Sequence, residues 1–104
     1  MDAQQRVYKR FERLKKPDRV KSWTLAPSTR AGKKWVVTII PRDTRLGDAS
    51  RPILVHFGDS SMQDYTQHRD KERRLRFHQR FATLIAQTHN NPLSPMFYSA
   101  KLLW

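Results

Sequence analysis

The chain contains no cysteine, which excludes disulfides, thiolate metal sites and a cysteine nucleophile. No apolar run approaches the ~20 residues of a membrane span, so we expect no transmembrane segment. The opening stretch MDAQQRVYKRF also lacks the apolar core of a secretory signal. Acidic residues are few: 9 Asp and Glu stand against 21 Lys and Arg, which gives a formal net charge of +12. Such an excess attracts polyanions, namely nucleic acid, an anionic membrane surface or an acidic protein.

The length of 104 residues, with 38% hydrophobic residues, suits one small core. Between residues 3 and 16, Val7, Phe11 and Leu14 recur at helical spacing, and Pro17 follows where a helix would stop. We therefore predict a basic N-terminal helix within residues 1–18, lying outside a single α+β domain at residues 19–104.

Three segments have the pattern of β-strands. Residues 19–25 alternate polar and apolar side chains, residues 33–41 (KKWVVTIIP) are rich in β-branched and aromatic residues, and residues 52–58 (PILVHFG) form a shorter run. The stretch RDTRLGDASR between the last two is predicted to be a polar loop. Three strands in succession predict an antiparallel meander.

A long helix is predicted from residue 67 to residue 87. At 100° per residue, Phe77, Phe81, Leu84 and Ile85 fall on one side, which we expect to cover the sheet. A short final helix should begin near Ser94 and Pro95 and complete the core. The predicted buried core consists of Trp35, Val37, Ile39, Val55, Phe57, Phe77 and Phe81.

Four arginines of that long helix are predicted to form a stripe away from its apolar side. They are Arg69, Arg73, Arg76 and Arg80, at i, i+4, i+7 and i+11. The pairs Asp70 with Arg74 and Glu72 with Arg76 have favourable i, i+4 order, but each contributes only ~0.2 to 0.5 kcal/mol. The stripe is either a solvated face or a surface that contacts phosphate or an acidic protein, and the planar fork of Arg favours contact.

Two further segments are candidate binding surfaces. The N-terminal segment carries a second set of basic residues, which is either a charged helix face, a disordered arm or an addition to the first surface. The apolar end of the chain, Leu102, Leu103 and Trp104, either completes the domain's own core or docks on a partner. The N-terminal basic set is Lys9, Arg10, Arg13, Lys15 and Lys16.

No motif of the sequence indicates catalysis. The sequence contains no glycine-rich phosphate loop, no nucleophile elbow and no pair of carboxylates of the kind that lines a catalytic cleft. The four histidines lack the spacing of a zinc site, so we expect neither metal nor cofactor. One polar cluster is better explained by helix capping, packing and backbone hydrogen bonds than by chemistry. Its members are Asp64, Tyr65, Thr66, His68 and Asp70.

The order HFG, DYT.H.DKERR, a basic aromatic helix, NPLSP and LLW resembles a family of small basic proteins of large double-stranded DNA viruses and some bacteriophages. The resemblance covers residues 32–104, and family members usually carry a longer glycine-containing stretch where this chain has DSSMQ. It implies a viral protein that is a virion component rather than an enzyme. The matching residues are His56, Phe57, Gly58, Asp64, Tyr65, Thr66, His68, Asp70, Lys71, Glu72, Arg73, Arg74, Phe77, Arg80, Pro92, Ser94, Pro95, Ser99, Leu102, Leu103 and Trp104.

Two functions remain open at this point. The first is a non-enzymatic structural protein, a minor capsid or core component that bridges larger virion proteins and contacts the genome through its basic faces. The second is a DNA- or RNA-binding module acting in replication, transcription or genome packaging. Neither requires a small-molecule substrate. The expected location is the virion, or the cytoplasm or nucleus of the infected cell.

Overall fold

The computed structural model describes residues 1–43, 45–48 and 50–104 and shows an α+β fold. Helix α1 (Ala3–Arg13) precedes strands β1 (Val20–Pro27), β2 (Lys33–Pro41) and β3 (Ile53–Asp59). Helices α2 (Tyr65–His68), α3 (Lys71–Arg80), α4 (Ala82–Thr88) and α5 (Pro95–Tyr98) follow, and a π-helical turn (Ser99–Leu103) extends α5. The predicted fold class is confirmed, with an N-terminal helix and a short C-terminal one.

The sheet is the predicted antiparallel meander, with strand order β1-β2-β3. Alternate residues of β2 point inward, so Trp35, Val37 and Ile39 are buried while their neighbours are only partly covered. Val37 pairs with Val55 on β3 and Trp35 pairs with Phe57, which places one apolar face on the core. The polar loop predicted between β2 and β3 includes Thr44 and Ala49, which lie outside the described residues.

The closing segment, residues 95–104, covers the inner face of the sheet. Phe97, Tyr98, Leu102 and Leu103 are at most 4% exposed. The ring of Tyr98 stacks on Phe57 with centroids 5.4 Å apart. The core is therefore completed by the end of the chain, as one of the two sequence alternatives proposed.

The prediction of one long helix over residues 67–87 that covers the sheet is wrong. Arg69 ends α2 with a left-handed backbone (φ 58°), and Asp70 then caps α3 by accepting from two backbone amides. Phe81 separates α3 from α4, and neither helix contains a buried residue. Phe77 and Phe81 are consequently only half-buried, because the closing segment already occupies the face that we assigned to them.

The basic N-terminal helix is not outside the core, contrary to our expectation. Val7 is 1% exposed, and Tyr8 meets the edge of Trp35 with centroids 5.3 Å apart. Phe11 lies beside Trp23 at 5.1 Å. Residues 1–18 and 19–104 thus share one core rather than forming two units. No helix within the described ranges has the length and apolar character needed to cross a membrane.

Candidate binding site

Helix α3 presents three of the four arginines that the sequence grouped. Arg73, Arg76 and Arg80 follow one another at intervals of three and four residues, so they share one side of the helix. Arg69 does not belong to this stripe, because the left-handed residue breaks the helical phase before α3 begins. The prediction groups Arg73, Arg76 and Arg80 correctly and is wrong for Arg69. It is also wrong in placing the stripe away from the apolar side of the helix, because these three arginines line one groove together with Phe77, Phe81 and Leu84.

The expected ion pairs of α3 are not formed. The Asp70 carboxylate accepts from the amides of Glu72 (3.0 Å) and Arg73 (3.2 Å), and these hydrogen bonds lower its pKa. Arg74 instead donates through Nε to the main-chain oxygen of Trp104 at 2.7 Å. Across residues 1–43, 45–48 and 50–104, the salt bridges are Lys34–Asp64, Arg45–Asp43 and Arg51–Asp48. No arginine of α3 has a carboxylate partner among them.

A groove of about 740 Å³ lies between the α3–α4 pair and the closing segment, beside the ends of β2 and β3. Its basic lining comes from two walls, since β2 adds Lys33 and Lys34 to the three arginines of α3. Two carboxylates, Asp59 and Asp64, also line it. The apolar lining residues are Met62, Phe77, Phe81, Leu84, Met96, Leu103 and Trp104.

Lys34 differs from the other basic residues of the groove in its electrostatic environment. Lys34 Nζ donates to Asp64 Oδ2 at 2.8 Å and to Gln67 Oε1 at 2.7 Å, so its charge is compensated. Hydrogen bonds from Ser61 lower the pKa of Asp59, and the nearby positive charge of Lys33 lowers it further. In the described ranges, the positive charge of the groove without a carboxylate partner therefore lies on Lys33 and on the three arginines of α3.

The aromatic residues of the groove are packed on one another. Phe77 stacks face to face with Trp104, with centroids 4.5 Å apart, and Phe77 meets Phe81 at 4.9 Å. Two aliphatic side chains at the groove are more open, since Met62 is 54% exposed and Leu84 41%. The groove thus offers an arginine wall next to a mixed aromatic and aliphatic floor.

The proposed docking residues at the end of the chain have separate positions. Leu102 and Leu103 are 0% and 1% exposed, so they belong to the core and cannot serve as a partner's docking surface. Trp104 is half-buried and lines the groove. Sequence reasoning kept the three residues together because a periodic apolar run does not show which members reach the surface.

The basic residues of α1 do not line the groove. Arg10 donates to the carbonyl oxygen of Leu102 at 3.2 Å, and Lys16 donates to that of Lys21 at 2.6 Å. Lys9, Arg13 and Lys15 are exposed. The structure therefore separates the predicted basic residues into an α3 wall and a distinct α1 face.

The polar cluster around Asp64 caps and packs as predicted. Asp64 is 2% exposed, and its carboxylate accepts from the amide and the hydroxyl of Thr66 at the start of α2. Tyr65 is buried, and Asp70 donates its amide to His68 Nδ1 at 2.8 Å. Burial lowers the pKa of His68, and the positive charge of Arg73 lowers it further. Together these residues cap and pack the start of α2.

Lys33 and Lys34 were missed as site residues. The lysine pair that begins the strongest strand was the available signal, but the sequence does not show that the start of β2 faces α3. Over the described ranges, His, Asp and Glu side chains form no group of three that could hold a metal ion.

The comparison with protein families gives one match. A family model with the description "Family of unknown function (DUF5754)" matches residues 23–81, more than half of the chain. The matched range extends from β1 through the arginine wall of α3 to Phe81. No curated protein and no solved structure matches the chain.

Proposed function

Because the chain belongs to DUF5754, a family of unknown function, its role has to be inferred from its surface, and we propose that it is a non-enzymatic structural protein of a virus particle. In this role it is a minor capsid or core component that bridges larger virion proteins. The resemblance in the HFG, DYT, NPLSP and LLW pattern supports the viral assignment. The groove between α3 and the closing segment supports the bridging role, and it is the observation on which the proposal rests.

The occupant of this groove is an acidic segment of a larger virion protein that also carries apolar side chains. Arg73, Arg76 and Arg80 provide positive charge without a carboxylate partner in the described ranges. Their planar guanidinium groups suit bidentate contact with Asp and Glu. The exposed Met62 and Leu84 offer apolar contact beside these charges. A segment with alternating carboxylates and apolar anchors satisfies both parts of the groove.

A catalytic role has little support. The polar side chains that the sequence offered as candidates for catalysis cap α2 and α3 instead, and Lys34 donates a hydrogen bond to the Asp64 carboxylate. The groove places positive charge beside apolar surface, which suits binding. We therefore keep the protein outside the enzyme classes.

The test is incorporation into purified particles. We expect the chain to co-purify with particles at a fixed copy number, which quantitative proteomics measures. The variant Arg73→Glu with Arg76→Glu should reduce incorporation at least tenfold, because it reverses the charge of the groove wall. The matched control is Arg19→Glu with Arg42→Glu, two exposed arginines at the other end of β2, and it should incorporate normally. A chain that is abundant in infected cells and missing from particles would refute the structural role.

The alternative function is a nucleic-acid-binding module acting in viral replication, transcription or genome packaging. The observation that favours it is the second basic surface, because Lys9 and Arg13 on α1 and Lys15 just after it are exposed and do not line the groove. Two separate basic faces suit a polyanion that extends around the molecule, such as DNA or RNA. Salt-dependent binding separates this function from the first one.

A further inference from the structure

Three arginines converge on the ring of Tyr65. The guanidinium carbons of Arg74, Arg69 and Arg10 lie over this ring at 4.7, 4.8 and 5.8 Å from its centroid. Because the Tyr65 ring has two faces, at least two of the three guanidinium groups lie on the same face. Tyr65 itself is 5% exposed, whereas Arg69 and Arg74 are exposed. The cluster is therefore open to solvent on its arginine side.

Each arginine comes from a different part of the chain. Arg10 lies on α1, Arg69 ends α2 and Arg74 lies on α3. Arg69 is the one non-glycine residue with positive φ in the part of the chain that the structure describes. Glycine adopts this left-handed conformation readily, whereas L-residues other than Asn and Asp rarely do. An arginine at this position therefore indicates that the side chain of Arg69 has a role.

No salt bridge of the described ranges joins a side-chain carboxylate to any of the three arginines. Burial lowers the pKa of Arg10, and the positive charges of Arg74 and Arg69 lower it further, whereas Tyr65 and the Asp64 carboxylate act in the opposite direction. Arg10 and Arg74 each give one N–H to a main-chain oxygen, of Leu102 and Trp104 respectively. Each guanidinium has five N–H donors, so most donors of the cluster have no protein acceptor in the described chain.

We propose that Arg10, Arg69 and Arg74 form a binding site for a phosphate group at Tyr65. A tetrahedral phosphate accepts hydrogen bonds from several directions, which suits three guanidiniums arriving from three helices. A single carboxylate is planar and is satisfied by one guanidinium fork. None of the three arginines lines the α3 groove, so this site is separate from the groove and independent of the proposed virion role.

The phosphate can come from a free phosphate or from the backbone of a nucleic acid. Both present anionic phosphoryl oxygens, which are the groups that the three guanidiniums would bind. A bound phosphate would link α1, α2 and α3 through charge-assisted hydrogen bonds. Binding to the folded state alone raises its stability, so thermal unfolding of the isolated protein reports on the site.

The experiment compares melting temperatures in sodium phosphate and in sodium chloride at equal ionic strength. Wild-type protein should gain about 4 °C or more when phosphate is several-fold above its Kd. Arg74→Gln should lose this gain. The matched control is Arg42→Gln, which removes an exposed arginine just after β2 that belongs neither to the Tyr65 cluster nor to the groove lining, and it should keep the gain. If Arg74→Gln does not fold, Arg69→Gln replaces it.

A second arm identifies the source by titrating a short single-stranded oligonucleotide in place of phosphate. A gain with the oligonucleotide alone, lost in Arg74→Gln and kept in Arg42→Gln, assigns the site to a nucleic-acid phosphodiester. A gain with inorganic phosphate assigns it to a free phosphate group. The site is overturned if neither ligand raises the wild-type midpoint, or if Arg74→Gln keeps as much of the gain as Arg42→Gln. Neither outcome bears on the incorporation test of the groove.

Discussion

The rings of Phe77 and Trp104 lie parallel, with their planes 4° apart and their centroids 4.5 Å apart. This stack and the hydrogen bond from Arg74 to the main-chain oxygen of Trp104 join α3 to the closing segment. Because α3 has no buried residue, these contacts are its main anchors to the body of the domain. We expect Phe77→Ala to cost about 1 to 3 kcal/mol, less than a fully buried Phe would. Thermal unfolding and hydrogen exchange of residues 71–88 measure it.

The control for this variant is Leu75→Ala on the same helix, where the side chain is 58% exposed. It should change stability by less than about 0.5 kcal/mol. Faster exchange in residues 71–88, with β2 unaffected, is the pattern expected of Phe77→Ala. Equal effects of the two variants would mean that the stack does not anchor α3.

Gly58 is expected to be intolerant of a side chain for two reasons. Its φ is 82°, and a Cβ there would lie 2.9 Å from Leu103 Cδ1 and 3.2 Å from Lys34 Cβ. Gly32 also has a φ of 82°, but no described atom lies within 4 Å of its added Cβ. Gly32→Ala should therefore cost only the backbone penalty of about 1 to 2 kcal/mol, and Gly58→Ala should cost more. Chemical denaturation compares them, and equal costs would contradict the close contact with Leu103.

Asp64 combines two functions that separate variants can isolate. It caps α2 and forms the salt bridge with Lys34, and its side chain is only 3% exposed. Asp64→Ala removes both and should cost about 3 to 5 kcal/mol, because it leaves a largely covered lysine charge unpaired. Asp64→Asn keeps a good capping group and should cost less. Denaturant unfolding measures the two. An Asp64→Asn protein as stable as wild type would show that the ion pair contributes nothing.

Tyr98 should make stability depend on pH in the alkaline range. Its hydroxyl donates to the Pro92 carbonyl at 2.6 Å, and burial raises its pKa. In the unfolded chain tyrosine ionises near pH 10 while folded Tyr98 keeps its proton, so its contribution is complete below about pH 10 and is lost above it. Tyr98→Phe should cost about 1 to 2 kcal/mol at neutral pH. Its stability should also fall less steeply above pH 10 in thermal melts, and a parallel fall would contradict this assignment.

The strands were predictable because their signal is local. Alternation along residues 33–41 determines which side chains face the core, and Trp35, Val37 and Ile39 are buried as predicted. The capping role of Asp64 was likewise predictable, since capping involves residues only two or three positions away.

The packing of the helices was not predictable from periodicity. The apolar side of α3 matches the requirement for covering a sheet, but the closing segment competes for the same face and buries Phe97, Tyr98, Leu102 and Leu103 there. Periodicity does not rank two such competitors. The left-handed Arg69 interrupts a continuous helical pattern without glycine or proline, so no breaker marked the end of α2. The groove forms because the closing segment covers the sheet and because Arg69 ends α2, and neither feature was predictable from the sequence pattern.

Binding to nucleic acid is tested by the salt dependence of affinity. Each phosphate neutralised on duplex DNA contributes about −0.9 to the slope of log affinity against log salt concentration. If the α3 wall contacts phosphates, Arg73→Gln with Arg76→Gln should reduce the magnitude of the slope by up to ~2. Binding should weaken about equally for unrelated sequences, because phosphate contacts carry no base information. Fluorescence anisotropy with labelled duplexes over a series of salt concentrations measures both quantities.

The matched control is Arg19→Gln with Arg42→Gln, which removes the same two charges from exposed positions at the far end of β2. A dedicated arginine wall requires the α3 pair to reduce the slope more than this pair does. Equal slopes would show that attraction is spread over the whole +12 surface. If the wild type has no measurable affinity at about 50 mM salt, where phosphate contacts are strong, nucleic-acid binding is excluded. Two interpretations of Arg73, Arg76 and Arg80 would then be left, a solvated helix face and a contact with an acidic protein surface, and the incorporation test of the charge-reversed variant distinguishes them.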